Sequence, residues 1–216
     1  MSRIIITLFL LFFLSLPVAA ADVGGGVSVF VPLSLMESGE GSVTFEESLE
    51  TSLGFGPFLS LPVGFVYNRV DGFRVKADGL GTSDSPWFYG DCFMPYVMLK
   101  AHLPVGFLYL DLFGGGAANW SFVLNPRYDK IQGDLQGVDY VADVEYQRVW
   151  GYGYLAGAAA GVTIDKISVD LGVTWRDIRH TIDLTVTDDT NAETEYTDAQ
   201  LLLQGISIAL KGSFSL

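Results

Sequence analysis

Alternation with a period of two runs along most of the chain and separates apolar side chains from small or polar ones. From Leu53 the odd positions read Leu53, Phe55, Pro57, Leu59, Leu61, Val63, Phe65 and Tyr67, with Gly54, Gly56, Phe58, Ser60, Pro62 and Gly64 between them. Further on, Leu108, Leu110, Leu112, Trp120 and Phe122 share one face, opposite Phe107, Tyr109, Asp111, Phe113, Asn119 and Ser121. The last segment sets Leu202, Ile206, Ile208, Leu210, Phe214 and Leu216 opposite Leu201, Leu203, Gly205, Ser207, Lys211 and Ser213. Side chains of a strand point to opposite faces in turn, so these patterns predict strands rather than helices. Eight are predicted, over residues 24–35, 52–67, 72–80, 93–103, 106–122, 149–164, 166–182 and 199–214.

The connections between these segments alternate in length: 68–71, 104–105 and 165 are short, while 36–51, 81–92, 123–148 and 183–198 are long. Short turns at one end and long loops at the other is the organisation of an outer-membrane barrel with both termini on the periplasmic side. The expected fold is all-β: a closed eight-stranded antiparallel up-and-down transmembrane β-barrel. Closure follows from the solvent, because each unpaired N–H or C=O at a sheet edge costs several kcal/mol in hydrocarbon. Eight strands leave a lumen about wide enough for side chains. Tyr67 is expected near a periplasmic turn, and Trp120, Phe122, Trp150 and Tyr152 near the outer rim, as interfacial girdles. A soluble lipocalin-like barrel would place the apolar faces inside, whereas here the polar sets are the inward ones.

Composition sharpens this picture. The 216 residues carry a formal charge of −13, so phosphate is repelled and nucleic acid is excluded as a partner. Residues 1–21 read as a secretory signal peptide: Arg3, an apolar run through Leu16, Pro17, then Ala19, Ala20 and Ala21 for cleavage. That leaves 22–216 as the barrel domain. Cys92 is the single cysteine, so no intrachain disulfide forms, and it reads as a small apolar side chain near a strand end.

The stretch 93–122, with Pro95-Tyr96-Val97-Met98 and Phe113-Gly114-Gly115-Gly116, resembles the fourth and fifth strands of the OmpW family of small outer-membrane barrels. Residues 151–161, the Asp165-Lys166 turn, the run Val173-Thr174-Trp175-Arg176-Asp177-Ile178 and the closing strand are similar to that family as well. The resemblance implies a bacterial outer-membrane protein and a hydrophobic upper channel closed toward the periplasm. It also implies recognition of the C-terminal strand by the barrel assembly machinery. Family members end in an aromatic residue; here Phe214 is followed by Ser215 and Leu216.

If the apolar parity faces lipid, the opposite parity lines the lumen. Its periplasmic half is expected to gather Arg74, Lys76, Asp78, Lys100, His102, Asp111, Asp170 and Lys211, with Tyr109, into a network of paired charges. At middle and upper heights the inward apolar candidates are Phe30, Phe58, Met98, Phe113, Leu155, Leu201 and Leu203. After Trp175 the apolar positions switch parity, to Ile178, Ile182, Leu184 and Val186. Either a β-bulge restores the outward face or the upper wall is apolar inside. Inward Gly151, Gly153, Gly157, Ala159 and Gly161 either leave free space or receive large neighbours.

The loops 36–51 and 183–198 hold many carboxylates and no base, and they lack the ligand periodicity of a calcium loop, so no metal or cofactor is expected. The expected function is a narrow channel or receptor for small hydrophobic molecules, working among outer-membrane lipids. The competing reading is a structural or adhesive barrel that binds partners through acidic extracellular loops. An enzyme would need a nucleophile beside a base. His180 has only Thr181 and Asp177 or Asp183 nearby, and no His-x-Ser pair of the lipid A deacylase kind is present, so no enzyme is expected.

Overall fold

The computed structural model describes residues 20–79, 81–83, 86–126, 131–132, 139–143, 149–187 and 192–216. Most of the expected leader, with Leu80, Asp188, Asp189 and much of the 123–148 loop, lies outside the described residues. Eight long strands follow in order: β1 Ala20–Pro32, β2 Thr44–Gly54, β3 Leu59–Ala77, β4 Phe88–Val105, β5 Leu108–Pro126, β6 Val149–Ile164, β7 Ile167–Thr187 and β8 Glu193–Ser215. One short helix, α1 (Leu33–Glu37), follows β1. Each strand pairs antiparallel with the next, and β8 pairs with both β7 and β1, which closes the ring. Ala20 and Ala21 are the first residues of β1, opposite Gly54 and Leu53.

Two boundaries differ from the sequence expectation. The residues taken as loop 36–51 contain β2, and the first turn lies at 55–58, where Phe55 N–H donates to the Leu59 carbonyl at 2.7 Å and Gly56 has φ +82°. No turn exists at 68–71; β3 continues through these residues, so the segment 72–80 is its outer end rather than a separate strand. A four-residue turn preserves odd-even parity, so β2 and the start of β3 read as one strand. A β-bulge between Asp71 and Phe73 breaks parity inside β3 and mimics a strand boundary. Tyr67 therefore lies well above the periplasmic turns, beside Phe93.

The barrel has two tiers. In the lower tier the outward positions are apolar, as in Ile167, Val169, Leu171, Val173 and Trp175 on β7. Nine such tilted strand residues span roughly 25 Å, the height of an outer-membrane apolar band. Above that height the outward residues become polar at matching register, Arg69 opposite Asp91 and Asp177 opposite Gln204. Trp120 and Trp150 stack 5.8 Å apart near this boundary. Among the described residues, the membrane band thus ends where the sequence switches from apolar to charged on the outer face.

The upper tier is narrower. β1 ends at Pro32 and β2 begins at Thr44, so above them β3 pairs directly with β8, Arg74 opposite Leu202 and Lys76 opposite Gln200. The bulge turns Phe73, Val75 and Ala77 inward, and a Cβ on Gly72 would lie 2.4 Å from Pro32 Cβ, so only glycine lets the end of β1 pack here. Within this six-stranded ring Phe30, Val70, Phe73, Trp87, Ile178, Leu184, Leu201 and Leu203 are almost completely buried. No bulge follows Trp175 before Ile182, so the upper wall is apolar on the inside. Water outside and hydrocarbon inside is the arrangement of a soluble core, inverted relative to the tier below.

Three inward glycines of β6 receive large neighbours, whereas a Cβ on Gly153 would meet the Asp177 carbonyl. A Cβ on Gly157 would meet the Phe113 ring at 2.7 Å, one on Gly161 the Tyr109 ring at 2.5 Å, and one on Gly151 the His180 ring at 2.6 Å. Gly151→Ala is expected to cost about 1–3 kcal/mol through overpacking. Adding His180→Ala should make the two changes non-additive by about 1 kcal/mol, read from urea unfolding in micelles; strict additivity would contradict this packing.

Candidate functional site: a stratified lumen

Charged residues enter the lumen on strand faces whose other side meets lipid, so each must find its partners across the barrel. The centre is Glu46, on the inner face of β2 and 1% exposed. Its carboxylate accepts from Ser28 Oγ at 2.8 Å, Ser207 Oγ at 2.9 Å, Arg176 Nη2 at 2.7 Å and Asn68 Nδ2. Arg176 also donates to Ser207, and its guanidinium lies 4.3 Å from the Phe30 ring. Five strands, β1, β2, β3, β7 and β8, are joined through this one carboxylate.

One level toward the periplasm, Glu50 accepts from Tyr96 Oη at 2.7 Å and from Lys211 Nζ at 3.0 Å. Asp111 pairs with His102 Nδ1 at 2.7 Å and Lys100 Nζ at 3.4 Å, and Tyr109 Oη donates to Asp170 at 3.2 Å. Lys100, His102, Asp111, Asp170 and Lys211 share the wall of a 260 Å³ cavity at the end holding the termini and short turns. Above it lie two voids of 30 and 40 Å³, the first beside Met98 and Phe113 and the second beside Met98, Leu155 and Arg176. Each has room for a water or two.

Three residues expected in the periplasmic charge network are elsewhere. Because β3 runs on without a turn, Arg74, Lys76 and Asp78 reach the outer end of the barrel. Arg74 lies on the outer side of the β3–β8 seam, donating to Glu37 at 2.7 Å and to Gln204 at 2.8 Å, and Lys76 and Asp78 are exposed. Phe58 is not a lumen residue: it sits in the periplasmic turn and is 58% exposed. Phe30, Met98, Leu155, Leu201 and Leu203 are buried within the barrel, and Phe113 is half-buried against the same core.

Glu46 and Glu50 are the functional groups that sequence reading missed. Their spacing with Ser48 and Ser52, all on even positions opposite Phe45, Leu49 and Leu53, was a period-two signal inside what read as an acidic loop. His180 is fully buried, with Nε2 3.0 Å from Asn119 Nδ2 and 3.3 Å from Ser121 Oγ, and Cys92 Sγ lies 3.5 Å from that hydroxyl. Asp177 faces outward but is buried, 5% exposed, beneath the exposed Arg179 with which it pairs at 3.0 Å. No ligand can reach the His180 ring in this packing.

The chain matches solved outer-membrane proteins in structure. It resembles the outer membrane protein OprG of Pseudomonas aeruginosa with a TM-score of 0.51 at 12% identity, over 91% of this chain and 95% of that one. Weaker likenesses are to Ail, the attachment invasion locus protein of Yersinia pestis (0.42, 11% identity, 91% and 97% covered), and to a major outer membrane protein of Thermus thermophilus (0.43, 11%, 91% and 98%). No family profile and no curated protein sequence matches the chain. The chain has the fold of a bacterial outer-membrane β-barrel.

Removing one partner of the central pair leaves a buried charge unpaired. Arg176→Met is expected to destabilise the barrel by about 3–5 kcal/mol, and Glu46→Leu combined with it to recover much of that loss. Denaturant unfolding of the refolded protein in micelles measures both; equal stability of Arg176→Met and the parent would contradict the central role of the pair.

Proposed function

We propose that the chain is a barrel of the OmpW kind that anchors an acidic surface in the outer membrane and is closed to through-passage. The packed upper tier carries this reading: Phe30, Phe73, Trp87, Leu201 and Leu203 are each at most 1% exposed, where a channel for hydrophobic molecules needs an open apolar bore. Below them, the Glu46–Arg176 pair bridges the lumen, beside voids of 30 and 40 Å³. The apolar plug is what the upper parity switch builds, and its side chains fill the space that a solute would occupy.

Outside, carboxylates are exposed on several outer elements: Glu47 on β2, Asp78 beyond β3, Asp183 on β7, and Glu193, Glu195 and Asp198 on β8. Arg69, Lys76 and Arg179 are the exposed bases nearby, so the field over the described rim is negative and favours cationic partners. Planar-bilayer recording and uptake of a hydrophobic probe into vesicles are both expected to give no signal. Stepwise conductance or probe uptake would instead support a narrow channel for small hydrophobic molecules. Replacing Glu193, Glu195 and Asp198 by amides should weaken binding of a polylysine probe without changing the folded-barrel mobility on gels; undiminished binding would count against the rim.

A further inference from the structure

The cavity at the periplasmic end is unlike the lumen above it. It holds 260 Å³, below the size of a drug-sized pocket, and its wall is a mixture of carboxylates, lysines and hydroxyls. Lys100 is paired with Asp111, and Lys211 with Glu50. Asp170 lines the same cavity and has a tyrosine hydroxyl as its hydrogen-bond partner; among the described residues no lysine or arginine forms an ion pair with it. Asp22 lines the cavity too, so its wall sets four carboxylates against Lys100, Lys211 and His102.

A second observation points independently to an occupant. Ser52 and Ser60, 4% and 9% exposed, line this cavity, and their hydroxyl oxygens are buried without a hydrogen-bond partner. A buried hydroxyl with no partner is destabilising, so a ligand that supplies hydrogen bonds there recovers that loss. His102 and Tyr109, with ring centroids 4.9 Å apart and planes inclined by 41°, add aromatic surface against which C–H groups can rest.

We propose that this cup is a binding site, open to the periplasm, for a small hydroxylated primary amine of aminohexose size. Its ammonium sits against Asp170, where it makes the ion pair that the lysines do not supply, and its hydroxyls pair with Ser52 and Ser60 once these side chains turn toward the cavity. A carboxylate-bearing ligand is repelled by the acidic wall, and a purely apolar one leaves Asp170 without an ion pair and both serines without a partner. The cup lies below the Glu46–Arg176 pair, so the proposal holds whether or not the upper tier passes solutes.

Titration of the full barrel, refolded in detergent, with glucosamine tests it by calorimetry or by NMR shifts of labelled protein. Saturable binding with a dissociation constant of about 1 mM is expected, as suits so small a ligand. Glucose and N-acetylglucosamine, which lack the ammonium, should bind about tenfold more weakly, and Asp170→Asn should lose about tenfold for glucosamine while keeping its folded gel mobility. If Asp170→Asn does not fold, Ser60→Ala carries the test, with a severalfold loss expected. Absence of saturation, equal binding of glucose, or unchanged glucosamine binding in the folded variant would overturn the proposal.

Discussion

Backbone hydrogen bonding in hydrocarbon is the constraint on which everything else in this molecule rests. A strand that faces lipid cannot leave an edge open, so the sheet has to meet itself, and β8 pairs with β1 over an unbroken register from Asp22 opposite Ser215 to Pro32 opposite Gly205. Once the ring is closed, its interior above the periplasmic cup is too narrow to hold much water, and the charged side chains there are satisfied by one another. The inner glycines, the aromatic rings packed on them and the cross-barrel ion pairs are all answers to that second demand.

The two tiers solve it with opposite chemistry because they meet opposite surroundings. Within the membrane band the outer face is apolar, and the inner face carries Glu46, Glu50, Asp111 and Asp170, which hold strands together through ion pairs and hydroxyls. Beyond the band the outer face is wet, so the inner face takes the apolar load, as in a soluble domain. The junction lies at Arg176: its guanidinium serves Glu46 and Ser207 and packs against Phe30, the lowest ring of the apolar plug. A barrel with an apolar core in its upper tier and a polar cup beneath it follows from that one change of surroundings.

Shortening β1 and β2 has a separate consequence. Six strands surround less space than eight, so the upper ring can be filled completely by large side chains. The seam where β3 meets β8 is held by Arg74, which reaches Glu37 on the connection between β1 and β2 and Gln204 on β8. A residue that sequence parity assigned to the periplasmic lumen thus fastens the outer seam.

Alternating parity determined the fold class, the lipid-facing set and the inward position of Phe30, Met98, Leu155, Lys100, Asp111 and Lys211, because lipid outside and a narrow lumen inside impose a strict two-residue code on each strand. Parity is blind to vertical position. A four-residue turn conserves it and a bulge breaks it, so the turn at 55–58 went unseen and the bulge at Asp71 and Phe73 read as a boundary. That displaced Arg74, Lys76 and Asp78 by the length of the barrel and hid Glu46 in an apparent loop. Which charges meet, where the barrel narrows from eight strands to six, and how completely its upper half is packed depend on residues far apart in the chain being brought to one height. Only closure of the sheet sets that height.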